Sequence, residues 1–261
     1  MFKRLIIYTA AILLSSHTPP EGHRSVPIKD EVVFQKGEYM RFVVAYGMVK
    51  AGEAELSIQA SAKNDQHLHI VGTGKSYSFF DVFFKVRDRY ETYFDPENKV
   101  PTEFVRDINE GGYKKQQHYI FDHEHNWVYD KRNGYKSYAI DHEHTQDMIS
   151  LFYYARLLDT KDLRPGDLLY IPSFVDEEMF RFYLEFKGRE VLKTTFGKVN
   201  TLKFTPLVQE GRVFKDKETM TIWVTDDDSH MPVLLKSKLR VGSIRLELVE
   251  HRGVNTDVPQ K

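Results

Sequence analysis

The string Asp-His-Glu-His occurs twice, at residues 122–125 and 141–144, and holds four of the eleven histidines in the chain. Imidazoles two residues apart in a strand point to one side, and a neighbouring strand can add two more at about 4.5–5.5 Å. Such a set suits a divalent ion such as zinc. Between the copies lies Asn133-Gly134, a strong signal for a two-residue type I′ turn. That turn sets Arg132 against Tyr135, His125 against His142 and His123 against His144. His123, His125, His142 and His144 are therefore the candidate metal ligands, and a metal-dependent hydrolase is one functional reading. Three features oppose it. The register places Glu124 opposite Glu143, a like-charge pair. It also needs an unbroken strand from Tyr113 to Lys131, against a usual length of about 3–10 residues. Finally, the second copy runs into a helix start, where Asp and Thr act as caps. The plainer expectation is a turn at 122–126 and a strand-to-helix loop at 141–145. A pH-responsive histidine cluster is the intermediate reading.

Other chemistry-bearing residues say less. His67 and His69 read as solvent-facing strand positions, and Asp226-Asp227-Asp228 reads as a β-turn without the spaced Gly and distal Glu of a calcium loop. There is no G-x-S-x-G elbow, no phosphate-cradling glycine loop and no cysteine. No catalytic residue and no cofactor is assigned, and the sequence leans away from an enzyme.

The elements that would position a site are mostly strands. Short alternating runs recur from Gly37 onward, broken at Ala51-Gly52, Asn64-Asp65, Asn98 and Gly111-Gly112. This grammar predicts an all-β, mostly antiparallel protein: a strongly curved sheet or open barrel, continuous rather than split into two lobes. Two segments break it. A helical turn is expected at about 79–84 and a medium helix at about 146–158, capped by Thr145 with Asp147 in its first turn. The chain is rich in aromatics, with 18 Phe, 15 Tyr and 2 Trp. Most belong in a core, but those on the helical interruptions, Phe80, Phe83, Phe84, Phe152 and Tyr153, are candidates to line an apolar cavity.

The first residues have the layout of a secretory signal peptide: Lys3 and Arg4, an apolar run from Leu5 to Leu14, then small and polar residues before Pro19. The run falls short of the roughly 20 residues that span a bilayer. The expected organisation is a signal peptide at 1–18, an N-terminal tether at 19–36, one curved β domain at 37–252 and a flexible tail at 253–261. Without a cysteine, no lipidated cysteine can anchor the chain. A periplasmic location follows as the expectation, with no membrane span after cleavage. Removing Lys3 and Arg4 from the 37 basic residues leaves the 38 acids in excess by three, so no nucleic-acid partner is expected.

Four stretches carry a family resemblance: 37–58, 86–113, 145–158 and 221–248. Within them stand Gly52-Glu53-Ala54, the spaced set Asp147, Ser150, Tyr153 and Arg156, and Ile222-Trp223-Val224 followed by Asp227 and Pro232. The chain resembles an exported bacterial domain of unknown function from Gram-negative envelopes, over nearly all of its mature length. Some members carry an ATP-dependent exonuclease label, which this chain contradicts by its signal peptide and its lack of a nucleotide loop. The fold is loosely similar to periplasmic carriers of the lipoprotein-localisation type. The resemblance implies no catalytic residues. The leading expectation is a non-enzymatic periplasmic carrier of an apolar or lipid-like ligand. The alternative is a scaffolding envelope protein with protein or glycan partners.

Overall fold

The computed structural model describes residues 26–207, 220–239 and 242–260; the signal peptide expected at 1–18 and the first part of the tether lie outside them. Fourteen strands among the described residues form one antiparallel sheet. They are β1 (Tyr39–Tyr46), β2 (Val49–Ala60), β3 (Leu68–Ser76), β4 (Val86–Asp95), β5 (Val100–Glu110), β6 (Tyr113–Asp122), β7 (Trp127–Asp130), β8 (Lys136–Ala139), β9 (Leu168–Val175), β10 (Glu178–Thr194), β11 (Gly197–Leu207), β12 (Met220–Thr225), β13 (Pro232–Lys238) and β14 (Ser243–Arg252). From β1 to β8 the chain meanders outward. Residues 140–167 then cross to the opposite edge, and β9 to β14 return until β14 pairs with β1, Tyr39 against Arg252. The expected curved, continuous all-β sheet is therefore what forms. Irregular pairing in β1, β4, β10 and β12 bends it, since an extra residue on one strand sharpens local twist.

The two edges, β8 and β9, are not paired with each other, yet side chains bridge the seam. Phe174 packs against Tyr119, Phe121 and Tyr138 with ring centroids 5.3, 6.2 and 5.6 Å away. Asp176 accepts from Arg106 at 3.0 Å, and the Tyr138 hydroxyl donates to Glu177 at 2.6 Å. Asp176 and Glu177 form the turn between β9 and β10 with positive φ, 49° and 73°, where glycine is usually preferred. Their carboxylates hold the seam, which explains why two acids occupy a strained turn.

Gly52 is needed for a close approach. A Cβ there would lie 2.3 Å from the carbonyl oxygen of Lys75 on the paired strand. Gly52→Ala is expected to lower stability by about 1–3 kcal/mol, read as a lower urea midpoint at unchanged slope. An unshifted midpoint would contradict this packing.

The two helices are shorter than the sequence suggests: α1 spans Ser78–Asp81 and α2 spans Ser150–Ala155. Asp147 caps a turn ahead of α2 rather than sitting within it, accepting the Ile149 and Ser150 amides at 2.7 and 2.9 Å. After Ala155 the amides of Arg156 and Leu157 bond three residues back, a tightening that ends a helix.

Residues 26–36 of the expected tether lie along α2. Phe34 is buried against Phe94 and Tyr153, and Lys29 donates its amide to the Leu157 carbonyl at 2.7 Å. Val254 and Val258 in the expected tail are also buried.

Candidate functional site

Alternation along the strands sends one set of side chains to the concave face, and α2 covers part of it. Beneath α2 lies a cavity of about 390 Å³. Phe42, Leu56, Phe182, Phe204, Val224 and Leu246 supply its apolar wall from the sheet, with Met148, Leu151 and Phe152 above. Gly72 and Gly74, two residues apart on β3, face the same space. Glycine inside a strand weakens it and often marks a site where something else comes close. At Gly74 the missing side chain leaves room, since a Cβ there would meet only Asp88, at 3.8 and 4.0 Å; at Gly72 the space is taken by Ile149 and Leu56, which a Cβ would meet at 3.2 and 3.3 Å.

Of the five aromatic candidates, only Phe152 lines the cavity, and it stands 44% exposed at its border. Tyr153 is buried on the other side of α2 against Phe34, with an edge-on contact at 5.0 Å. Phe84 packs over Gly111, and Phe83 is exposed. Phe80 makes an edge-on contact with Phe79 at 5.7 Å. The Phe80–Phe84 turn thus belongs to the rim, not the cavity wall. Sequence reasoning missed Gly72 and Gly74, although their spacing in a strand was a usable signal, and it missed the wall residues because alternation alone does not separate a filled interior from a hollow one.

One end of the cavity is polar. Asp88 lines it, and Arg106, behind Tyr90, donates to Gln117 at 3.1 Å and to Asp176. Burial and the neighbouring Asp88 carboxylate push Glu110 up to about 8. The pair therefore shares a proton at neutral pH and presents less charge to the apolar space.

The spaced motif residues build a buried brace at the other end. Arg156 donates to both carboxylate oxygens of Glu38, at 2.8 and 3.2 Å, and to the Ser229 carbonyl at 2.8 Å, with both ionic side chains almost wholly buried. Its own carbonyl accepts from His230 Nδ1 at 2.9 Å, which leaves Nε2 to accept from the Thr160 hydroxyl at 3.0 Å. Burial, with Lys29 nearby, pulls His230 down to about 4. Asp227 accepts from the Thr225, Ser229 and Thr256 hydroxyls and the Ser229 and Asp257 amides. Burial would raise it, but these donors outweigh burial and hold it below the usual carboxylate range. The residues that carry the family resemblance thus fasten α2, the N-terminal segment and the turn between β12 and β13 together.

Asp147 is the exception in this frame. It is buried, its Oδ1 accepts from Thr92 and two amides, and its Oδ2 has no partner. Burial raises it to about 6 against those hydrogen bonds. A folded value above the unfolded one gives stability that is complete below the ordinary 3.8 and lost as pH rises through about 6. The contribution is about 3 kcal/mol. Asp147→Asn is expected to remove it, so the stability difference between wild type and variant should change by that amount between about pH 4 and pH 7. A difference that stays flat in urea unfolding over that range would contradict the assignment.

The two Asp-His-Glu-His copies take the plainer form. β7 and β8 pair Asp130 with Lys136 and Trp127 with Ala139, so the expected Arg132–Tyr135 register is shifted by one residue and the loop has five residues, not two. The reason is local: Asp130 accepts the Arg132 amide through its side chain at 3.0 Å and the Tyr135 amide through its carbonyl at 2.9 Å. The first copy is a turn in which Asp122 accepts from the His125 amide and ring. The second is a loop in which the His144 amide donates to His142 Nδ1 at 3.1 Å. His123 turns to the Pro101 carbonyl at 2.8 Å, and burial lowers its pKa. Among the described residues, no three histidine or carboxylate side chains gather as a metal set. His69, expected to face solvent, instead stacks on Tyr93 at 4.5 Å and bonds Glu91 at 2.7 Å.

One antiparallel sheet, curled around a partly hollow apolar interior with its wall left unpaired, defines an open-barrel protein. The chain belongs to the DUF3108 family, described as a protein of unknown function, whose profile matches residues 41–249. Among solved structures it is similar to a β-barrel-like protein of the DUF1849 family from Brucella abortus, with 10% identity over 84% of this chain and 98% of that one and a TM-score of 0.55. It also matches a DUF1089 family protein from Pseudomonas aeruginosa (9% identity, 72% and 90% coverage, TM-score 0.39) and a protein from Bacteroides fragilis described as exported with a YmcC-like fold (8%, 87% and 99%, 0.32). No match emerges among curated proteins. Among the described residues, no helix is long and apolar enough to cross a membrane.

Proposed function

We propose that this protein is a non-enzymatic periplasmic carrier that holds one apolar or lipid-like molecule under α2. The observation that supports this is the cavity: about 390 Å³, walled by aliphatic and aromatic side chains, with room left at Gly74. That volume lies within the roughly 300–1,000 Å³ usual for small-molecule sites. A scaffold that only displayed its outer face has no use for an apolar hollow of this size, whereas a carrier does. Titration with a fluorescent fatty-acid probe tests the reading. Saturable binding of one probe per chain is expected, with Kd on the order of 10 µM or tighter, reversed by unlabelled fatty acid. A linear, non-saturating signal would count against carriage.

A further inference from the structure

The strand ends at one rim of the sheet carry apolar side chains that stand exposed among the described residues. In the turn between β1 and β2, Met48 is 98% exposed and Val49 54%; on and after α1, Phe79, Val82 and Phe83 are 71%, 81% and 69% exposed. Register places these turns side by side, since Gly52 pairs with Ser76 and the Tyr77 amide donates to the Ala51 carbonyl at 2.9 Å. The Phe79 ring touches those of Phe80 and Phe83, at 5.7 and 5.8 Å, so the loop presents an aromatic knob of its own making.

Cations surround the knob. Lys50, Lys85 and Lys114 are exposed at this rim, the last beside the half-exposed Tyr113. Nearby acids are engaged: Asp81 accepts from Arg87 at 2.6 Å, and Glu53 pairs with Lys75 at 2.7 Å. The surface is thus apolar at its tips and positive around them. Protruding points of this kind make poor contact with a rigid flat partner, but they sink readily into a fluid interface. Interfacial anchoring combines apolar insertion with attraction of lysines to anionic lipids, each lysine contributing several-fold in affinity. The cavity reaches towards the same end, where Gly74, Asp88, Val175 and Phe180 line it.

We infer that this rim docks on a phospholipid bilayer bearing anionic headgroups, with the Phe79–Phe83 knob and Met48 inserted and Lys50, Lys85 and Lys114 against the phosphates. Docking would set one end of the cavity towards the lipid, yet it requires no cargo in the cavity, so the two readings fail separately.

Co-sedimentation with vesicles of mixed phosphatidylglycerol and phosphatidylcholine tests it, using the full chain throughout so that the apolar run at Leu5–Leu14 contributes equally to every sample. The expected result is binding that weakens in high salt and on pure phosphatidylcholine. Phe79→Asp with Phe83→Asp should weaken it at least about tenfold, while the fatty-acid titration stays unchanged. Because the substituted positions are exposed, the melting temperature should also hold. In a Phe83→Trp variant, brominated lipid should quench the added fluorescence. Equal sedimentation of wild type and the double variant, or no quenching at residue 83, overturns the inference; so does a rim that binds only protein partners and no vesicles.

Discussion

Arg156→Ala is expected to lower folding stability by about 3–5 kcal/mol, among the largest losses available to one substitution. Glu38 is 1% exposed, and removing the guanidinium leaves its carboxylate buried with no counter-charge. The Ser229 carbonyl loses its donor, and the Phe34 and Tyr153 rings lose the cation they flank at 5.4 and 5.5 Å. At roughly 2–4 °C per kcal/mol for a chain of this size, the melting temperature should fall by about 6–20 °C. The pair itself need not be stabilising, because burying two charges costs nearly what their attraction returns. Glu38→Leu combined with Arg156→Leu should therefore recover much of the loss. A single variant within about 0.5 kcal/mol of wild type, or a double variant worse than the single, would contradict the buried brace.

Gly74→Leu should separate stability from cargo. Gly74 pairs with Ala54 and Asp88 on either side, and a Cβ there meets only the Asp88 side chain, at 3.8 and 4.0 Å. The added side chain has one direction to grow, into the cavity. Since glycine in a strand interior costs about 0.5–1 kcal/mol, the variant should be as stable as wild type or more so. Fatty-acid affinity should nevertheless fall at least about tenfold, and added ligand should no longer raise the melting temperature. A stable variant with full affinity would place the ligand elsewhere.

The sheet was legible because period-two alternation and turn residues are local signals, and they run through nearly every strand. Its failures were also local in cause. Asn133-Gly134 points to a tight hairpin, but Asp130 closes a wider loop with its side chain, a contact that dipeptide statistics ignore. Thr145 looks like the helix cap and Asp147 like a first-turn acid; it is Asp147 that caps, from a turn before the helix, buried among Thr92 and Ser150. Phe80, Phe83 and Phe84 follow helical spacing and so suggest a lid, yet where a short helix sits relative to a hollow depends on long-range pairing. Arg156 and Glu38 lie 118 residues apart, and nothing in either segment alone reveals that they meet. What the spacing did carry was the set Asp147, Ser150, Tyr153, Arg156 and Asp227, of which Arg156 and Asp227 fasten the segments around α2 while Asp147 keeps one buried oxygen without a partner.

The central claim is that the space under α2 exists to be occupied. Native mass spectrometry with lipid extraction, on wild type and Gly74→Leu purified from their own cells, tests it most directly. The account predicts a co-purifying apolar molecule, near one per chain, on wild type and its absence on the variant. Wild type that emerges bare, or the same molecule retained on both, would contradict it.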